Sequence, residues 1–314
     1  MAAEMARSLF PYPGGKYNLA DWIVGLIPDH ECYAEPFGGS GGVLFSKPRS
    51  RVEVYNDIDE DVVQFFRAVR EREDELVEWL RRVPYARSLH DRWVSEFYGG
   101  YRPDDPIERA GRFFFLRHSQ FASKYDGVSG WSASRPRNEA TKFRDGTEQL
   151  LTLSQRLRSV QLERRDFGAV IPEYDGPDTF FYVDPPYLNP NDDPYHHDGC
   201  FDRDRLATVL EETEGRWILS LATVIPENAV GDLTVEELVD AAEVRDDDPL
   251  TVREALRDDR HLVWHDTMYS MRRGVDEWEK CRAECLLMNF DPDATPRFAD
   301  AAQTNLASFG DADG

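Results

Sequence analysis

An α/β fold, a mainly parallel sheet with helices on both faces, is what this sequence predicts, and three stretches carry the prediction. Thr179-Phe180-Phe181-Tyr182-Val183 is apolar throughout and runs into Asp184-Pro185-Pro186-Tyr187. A strand without polar alternation is one buried on both faces, as parallel strands are. The two prolines offer no N–H, so the ladder must stop at Asp184. Trp217-Ile218-Leu219-Ser220-Leu221 has the same character, and Val52-Glu53-Val54-Tyr55 delivers Asn56 and Asp57. Ligands of open α/β sheets sit beyond the carboxyl ends of the strands. The rim at Asp184 is therefore where chemistry is expected.

The remaining elements follow in chain order. Phe10 to Lys16 is an aromatic loop with paired glycines, and Leu19, Trp22, Ile23, Leu26 and Ile27 line one face of a helix ending near Pro28. Cys32 to Glu35 is a short strand that passes into Phe37-Gly38-Gly39-Ser40-Gly41-Gly42 and an apolar helix. Glycines there let backbone approach a ligand and leave N–H groups at the helix start. An acid about twenty residues further on, here Asp57, is placed to bind the ribose hydroxyls of an adenosine-bearing cofactor. Helices are expected from Asp59, up to Pro84, over Glu108–Phe121 and over Gly146–Val160, with a strand at Gln161–Glu163. After the central strand come a helix over Arg203–Glu212, an acidic insertion at 226–260, and a closing antiparallel pair at His265–Arg273 and Glu284–Phe290. Residues 291–314 are polar and small and read as a disordered tail.

Charge is unevenly spread. The formal charge is −23, yet residues 81–165 alone carry a net +7. That basic segment is rich in aromatics and arginine and is where a polyanion would dock. Its glycine-containing piece carries Lys124, Arg135 and Arg137, interleaved with Tyr125 and Trp131, and these three cations are the candidate DNA contacts. Cys281 and Cys285 lack a second pair at zinc spacing and read as packing residues; no metal site is expected. The four cysteines suit a reducing interior, and with no signal peptide or long apolar run the expected location is cytoplasmic.

Together these blocks resemble the Dam-like, adenine-specific DNA methyltransferases. Tyr12-Pro13-Gly14-Gly15-Lys16 is similar to that family's first block, Glu35 to Gly41 to its cofactor loop, and Asn56-Asp57-Ile58-Asp59 to its acidic segment. Asp184-Pro185-Pro186-Tyr187 is identical to its catalytic tetrapeptide. The resemblance spans roughly residues 9–290, with the blocks in the family's order. It implies a Rossmann-like S-adenosylmethionine-dependent sheet over 1–80 and 160–290, interrupted by a mostly helical target-recognition insert at 81–159. S-adenosylmethionine is the implied cofactor, contacted by Tyr12, Lys16, Phe37, Gly38, Gly39, Ser40, Gly41, Asp57 and Asp184. Double-stranded DNA is the implied partner, with no membrane; whether a partner restriction nuclease exists is not written in the chain.

The implied reaction is methylation of the exocyclic adenine amine. Asp184 and the Pro185 carbonyl would accept its two hydrogens, Pro186 would stiffen the turn, and Tyr187 would stack on a flipped base. Leu219-Ser220-Leu221 departs from the family's Leu-Ser-Asn. Alternatives at this level are amino methylation of cytosine or of RNA adenine, or a catalytically silent DNA-binding relative. Radiolabelled methyl transfer to methylated and unmethylated DNA separates them.

Only five of the 37 basic residues are lysine, against 60 acids, a halophile-like balance. An acidic surface whose self-repulsion is screened by salt should fold better in brine. Raising salt from low to molar concentration is expected to raise the unfolding midpoint; an unchanged midpoint would remove this hypothesis.

Overall fold

The computed structural model describes residues 10–12, 14–121, 128–134, 138–186, 201–226, 260–267 and 280–298. Seven strands form one sheet, β1 (Cys32–Glu35), β2 (Val52–Asn56), β3 (Val160–Glu163), β4 (Thr179–Val183), β5 (Arg216–Pro226), β6 (His261–Thr267) and β7 (Lys280–Met288), in the order β3-β2-β1-β4-β5-β7-β6. β4 is parallel to both β1 and β5, and β7 is antiparallel to both β5 and β6. This is a mainly parallel, Rossmann-like α/β sheet with an antiparallel edge. The acidic insertion lies almost wholly outside the described residues, as do 268–279 between the closing strands. No helix among the described residues is long and apolar enough to cross a membrane.

The chain divides into two compact units. The first comprises residues 1–24, 38–166 and 189–198. Besides β2 and β3 it holds α1 (Ala20–Val24), α2 (Gly42–Ser46), α3 (Glu60–Glu71), α4 (Glu73–Arg82), α5 (Arg87–Tyr98), α6 (Pro106–Ser119) and α7 (Glu139–Leu157). Asp59 caps α3 by accepting hydrogen bonds from Asp61 N and Val62 N, a contribution of about 1 kcal/mol. Asp105 caps α6, with Pro106 in the first turn where its missing N–H costs nothing. Helix α7 begins seven residues earlier than its periodicity indicated, because Asn138 accepts from Thr141 N and starts it there. Helices α6 and α7 pack on α3 and α4. Phe65, Phe66 and Phe113 meet edge to face around Phe10, with ring centroids 5.2–6.3 Å apart.

Most arginines of the basic segment have a local task. Arg102 and Arg109 bind Asp61, Arg112 binds Glu96 and Glu108, Arg81 binds Glu148, and Arg158 binds Glu73. Arg117 is buried and reaches Gln120. The net positive count of this segment therefore overstates the charge it offers to a polyanion.

A buried ion cluster is also here. Glu53 on β2 is 2% exposed and accepts from Lys47 Nζ at 2.7 Å and from Arg156 Nη2 at 2.5 Å. Burial pushes the Glu53 carboxyl up, but Arg156 and Lys47 outweigh it and hold the group below its usual range.

The second unit comprises residues 25–37, 167–188 and 199–314, with β1, β4–β7, α8 (Phe167–Tyr174) and α9 (Arg203–Glu212). Every residue of β4 is buried. His30, Tyr33, Phe180, Phe290 and Phe298 form one aromatic core. Within the stretch expected to be a tail, Phe298 N donates to Ile27 O at 3.0 Å and Arg297 to Gly25 O at 2.7 Å, so order extends through 298. Burying Phe298 against His30, with ring centroids 4.3 Å apart, is what holds it. Residues 299–314 lie outside the described part.

His118, on α6, is buried between Phe114 and Phe143, and neither ring nitrogen has a hydrogen-bond partner among the described residues. Burial, helped by the Lys142 charge, pulls it down to about 3. Below its ordinary value near 6.5 the unfolded chain takes up a proton that the folded chain refuses. Stability is therefore complete above that value and lost as pH falls from there toward 3, by at most about 1.4 kcal/mol per pH unit from this one site. Denaturant midpoints measured from pH 7 to 4 should show a shallower acid decline in His118→Leu than in wild type.

Candidate functional site

In the first unit the site is built on the end of β2. Asp57, 7% exposed, accepts Gly39 N–H on Oδ2 and Asp59 N–H on Oδ1, both at 2.9 Å. One carboxylate thus ties the glycine loop to the strand end and to the cap of α3. Gly38 N donates to Asn56 O at 2.8 Å, and Gly41 N closes the turn onto Gly38 O at 2.8 Å. Asn56 in turn exchanges two 2.9 Å hydrogen bonds with the Arg165 backbone, which fixes the strand end from its other side.

The loop's glycines are dictated by sterics. A Cβ on Gly38 would lie 2.1 Å from the Tyr55 ring, and Gly41 at φ +70° would place one 2.6 Å from Phe45. Tyr55 is stacked on Phe66 at 4.1 Å and donates its hydroxyl hydrogen to Gly39 O at 2.5 Å. Gly39 sits at φ +49°, beside the Tyr12 ring, where a Cβ would stand 3.1 Å from Cε1. Ser40 is buried, and Lys16, 5% exposed, donates to Gly14 O at 3.0 Å from a short 3-10 turn. Tyr12, Lys16, Gly38–Gly41 and Asp57 therefore all fall in this one unit.

The second unit carries the other candidates. Phe37, two residues after the end of β1, packs against Phe167 at 5.4 Å and Phe201 at 5.6 Å. Asp184 and Pro186 are half-buried and Pro185 is buried, at the carboxyl end of β4 where the ladder stops. Tyr187, Lys124, Arg135 and Arg137 lie outside the described residues.

A row of polar groups on this sheet face escaped sequence reasoning. Register puts Glu35 of β1 beside Tyr182 of β4, while Val183 opposite Leu219 brings Ser220 of β5 level with Asp184. Tyr33 donates to Glu35 at 2.5 Å, and Ser220 donates to Glu284 of β7. Glu35, Tyr182, Ser220 and Glu284 are all buried. The available signal was a serine and a tyrosine at alternate positions of otherwise apolar strands. Among the described residues no group of three or more His, Cys, Asp or Glu is arranged to hold a metal ion.

Gly38→Ala is expected to destabilise the fold by about 1–3 kcal/mol, the usual cost of overpacking, as read by urea denaturation. The double variant Gly38→Ala, Tyr55→Ala should recover part of it, because the clash is with that ring.

The family model of D12 class N6 adenine-specific DNA methyltransferases matches residues 12–242. A DNA N-6-adenine-methyltransferase of Escherichia phage P1 is 27% identical over 244 residues, 71% of this chain and 30% of that protein. A type II methyltransferase of Methanocaldococcus jannaschii, M.MjaIII, is 28% identical over 207 residues, 58% of this chain and 69% of that one. The DNA adenine methylase of Escherichia coli K12 is 32% identical over 115 residues, 35% of this chain and 40% of that enzyme. The matched regions span less than half the length of the phage and E. coli proteins. With glycine loop, strand-end acid and Asp-Pro-Pro rim in order along a match covering most of its length, the chain belongs to the D12 class N6 adenine-specific DNA methyltransferase family.

Proposed function

We propose that the chain transfers a methyl group from S-adenosylmethionine to the N6 amine of adenine in double-stranded DNA. The observation that carries this reading is Asp184-Pro185-Pro186 at the end of the fully buried strand β4, in a chain of this family. The residues present suit the cofactor: a loop kept free of side chains at Gly38, Gly39 and Gly41, and an acid at the end of β2. Tyr12, Lys16, Phe37, Ser40 and Asp57 would hold it, and when bound it supplies an electrophilic methyl group.

The chain's own work is on the acceptor. An exocyclic amine conjugated with a purine ring is a poor nucleophile. The Asp184 carboxylate and the Pro185 carbonyl would each accept one of its hydrogens, drawing the nitrogen toward a pyramidal form with its lone pair directed outward. Two consecutive prolines keep that carbonyl from turning away. Such preorganised acceptors act without reorganising at the moment of reaction. Lys124, Arg135 and Arg137 would meet phosphates, and Tyr187 would stack on the flipped base. Their roles come from the sequence pattern and the family resemblance.

Methylation-aware sequencing of DNA from cells expressing the protein should report N6-methyladenine at one recurring sequence. In vitro, labelled methyl groups should enter duplex DNA at adenine, and Asp184→Ala should lower the rate by about 100-fold or more. Transfer by Asp184→Ala at the wild-type rate, or label recovered in cytosine or RNA, would overturn the assignment.

A further inference from the structure

Three carboxylates, Glu35, Asp184 and Glu284, share one face of the sheet in the second unit with three hydroxyls, those of Tyr33, Tyr182 and Ser220. Two of the hydroxyls are committed: Tyr33 donates to Glu35 at 2.5 Å and Ser220 to Glu284. The third is not. Tyr182 is 3% exposed, and its hydroxyl makes no hydrogen bond with any described residue. A buried hydroxyl left undonated costs roughly 1–3 kcal/mol, so such a group calls for an explanation.

We propose that Tyr182 is a positioning residue for the methyl-transfer site, its hydroxyl donating to the Asp184 carboxylate when that side chain engages the acceptor amine. Tyr182 stands two residues before Asp184, so both side chains leave the same face of the strand. A carboxylate accepting an amine hydrogen on one oxygen needs its other oxygen held, or the group rotates and the amine loses its orientation. Glu35 and Glu284 each accept from another hydroxyl of this row, whereas the Tyr182 hydroxyl has no hydrogen-bond partner among the described residues.

Electrostatics agree with that assignment. Burial keeps the proton on the phenol, and of the charges around it Asp184 acts most strongly in the same direction, followed by Glu284 and Glu35. The Ser220 hydroxyl acts the other way, though its own hydrogen goes to Glu284. His265 of β6, opposite Glu284 in the ladder, is a further titratable residue on this face, as are His261 and Arg216 by register. A phenol whose proton is held this firmly is a dependable donor through the neutral range.

The inference rests on Asp184 being the acceptor of the amine hydrogen, and its test is read separately from that assignment. Tyr182→Phe removes only the hydroxyl, so thermal stability should be unchanged or raised. Carboxyl-13C-aspartate labelling of the full chain, with the Asp184 resonance identified by its loss in Asp184→Asn, reads the titration directly. With S-adenosylhomocysteine and an adenine-containing duplex bound, the Asp184 midpoint should stand about one pH unit higher in Tyr182→Phe than in wild type, the effect of one lost charged hydrogen bond. The acid limb of kcat against pH should move with it, and kcat should fall roughly 10-fold while KM for S-adenosylmethionine holds. An Asp184 midpoint and acid limb that stay put in Tyr182→Phe would overturn the inference. A crystal structure of the wild-type complex with Tyr182 Oη more than 3.5 Å from both Asp184 oxygens would do so even if the variant failed to fold. Full activity in Asp184→Ala would instead remove the assignment of Asp184, whatever the titration showed.

Discussion

The Tyr55 ring fills the space where a side chain at residue 38 would begin. With only 2.1 Å between that ring and a would-be Cβ, the chain leaving β1 must be glycine there, and the Tyr55 hydroxyl then fastens the next residue's carbonyl. Asp57 completes the arrangement by binding the amide of Gly39 and that of its own neighbour, Asp59. Strand end, glycine loop and helix start therefore behave as one rigid piece. A bound cofactor would meet backbone already set in place, so little ordering would remain to be done on binding. This local packing also explains why the loop tolerates positive φ at Gly39 and Gly41: the hydrogen bonds and ring contacts around it fix the backbone from several sides.

How much of this was legible in the sequence depends on whether the cause was local. The course of β4 could be read directly, since five apolar residues and two prolines state both burial and an end point. The glycine loop and Asp57 were legible as a pattern. The partner that enforces the glycines was not, because Tyr55 reads as an ordinary β-strand aromatic until its ring is seen against Gly38. Helix α5 was passed over because arginines and histidine interrupt its apolar face. The carboxylate–hydroxyl row was invisible for a different reason: its members come from four strands, and only the register between them puts Ser220 level with Asp184.

Arginine carries a double meaning in this chain. Counted along the sequence, residues 81–165 look like a surface for polyanions. In the fold, Arg102 and Arg109 hold α3 through Asp61, and Arg112 spans α5 and α6 through Glu96 and Glu108. Planar guanidinium groups suit this work, since one group can satisfy two carboxylates at once. Charge available to a phosphate backbone has to be sought among cations without such internal duties. A net count over a segment is therefore a poor guide to where nucleic acid would lie.

The Glu53 cluster gives the same chemistry a further consequence. Arg81–Glu148 and Arg82–Glu78 stand in solvent, with side chains about half or more exposed, and mobile ions will weaken them as ionic strength rises. Glu53 and Lys47 have side chains at most 1% exposed, and Arg156 13%, so counterions have little access to them. Between them these three residues connect β2, the end of α2 and the last turn of α7. In a concentrated electrolyte the protein would thus keep an internal brace whose strength is nearly blind to its surroundings, while its outer ion pairs loosen around it.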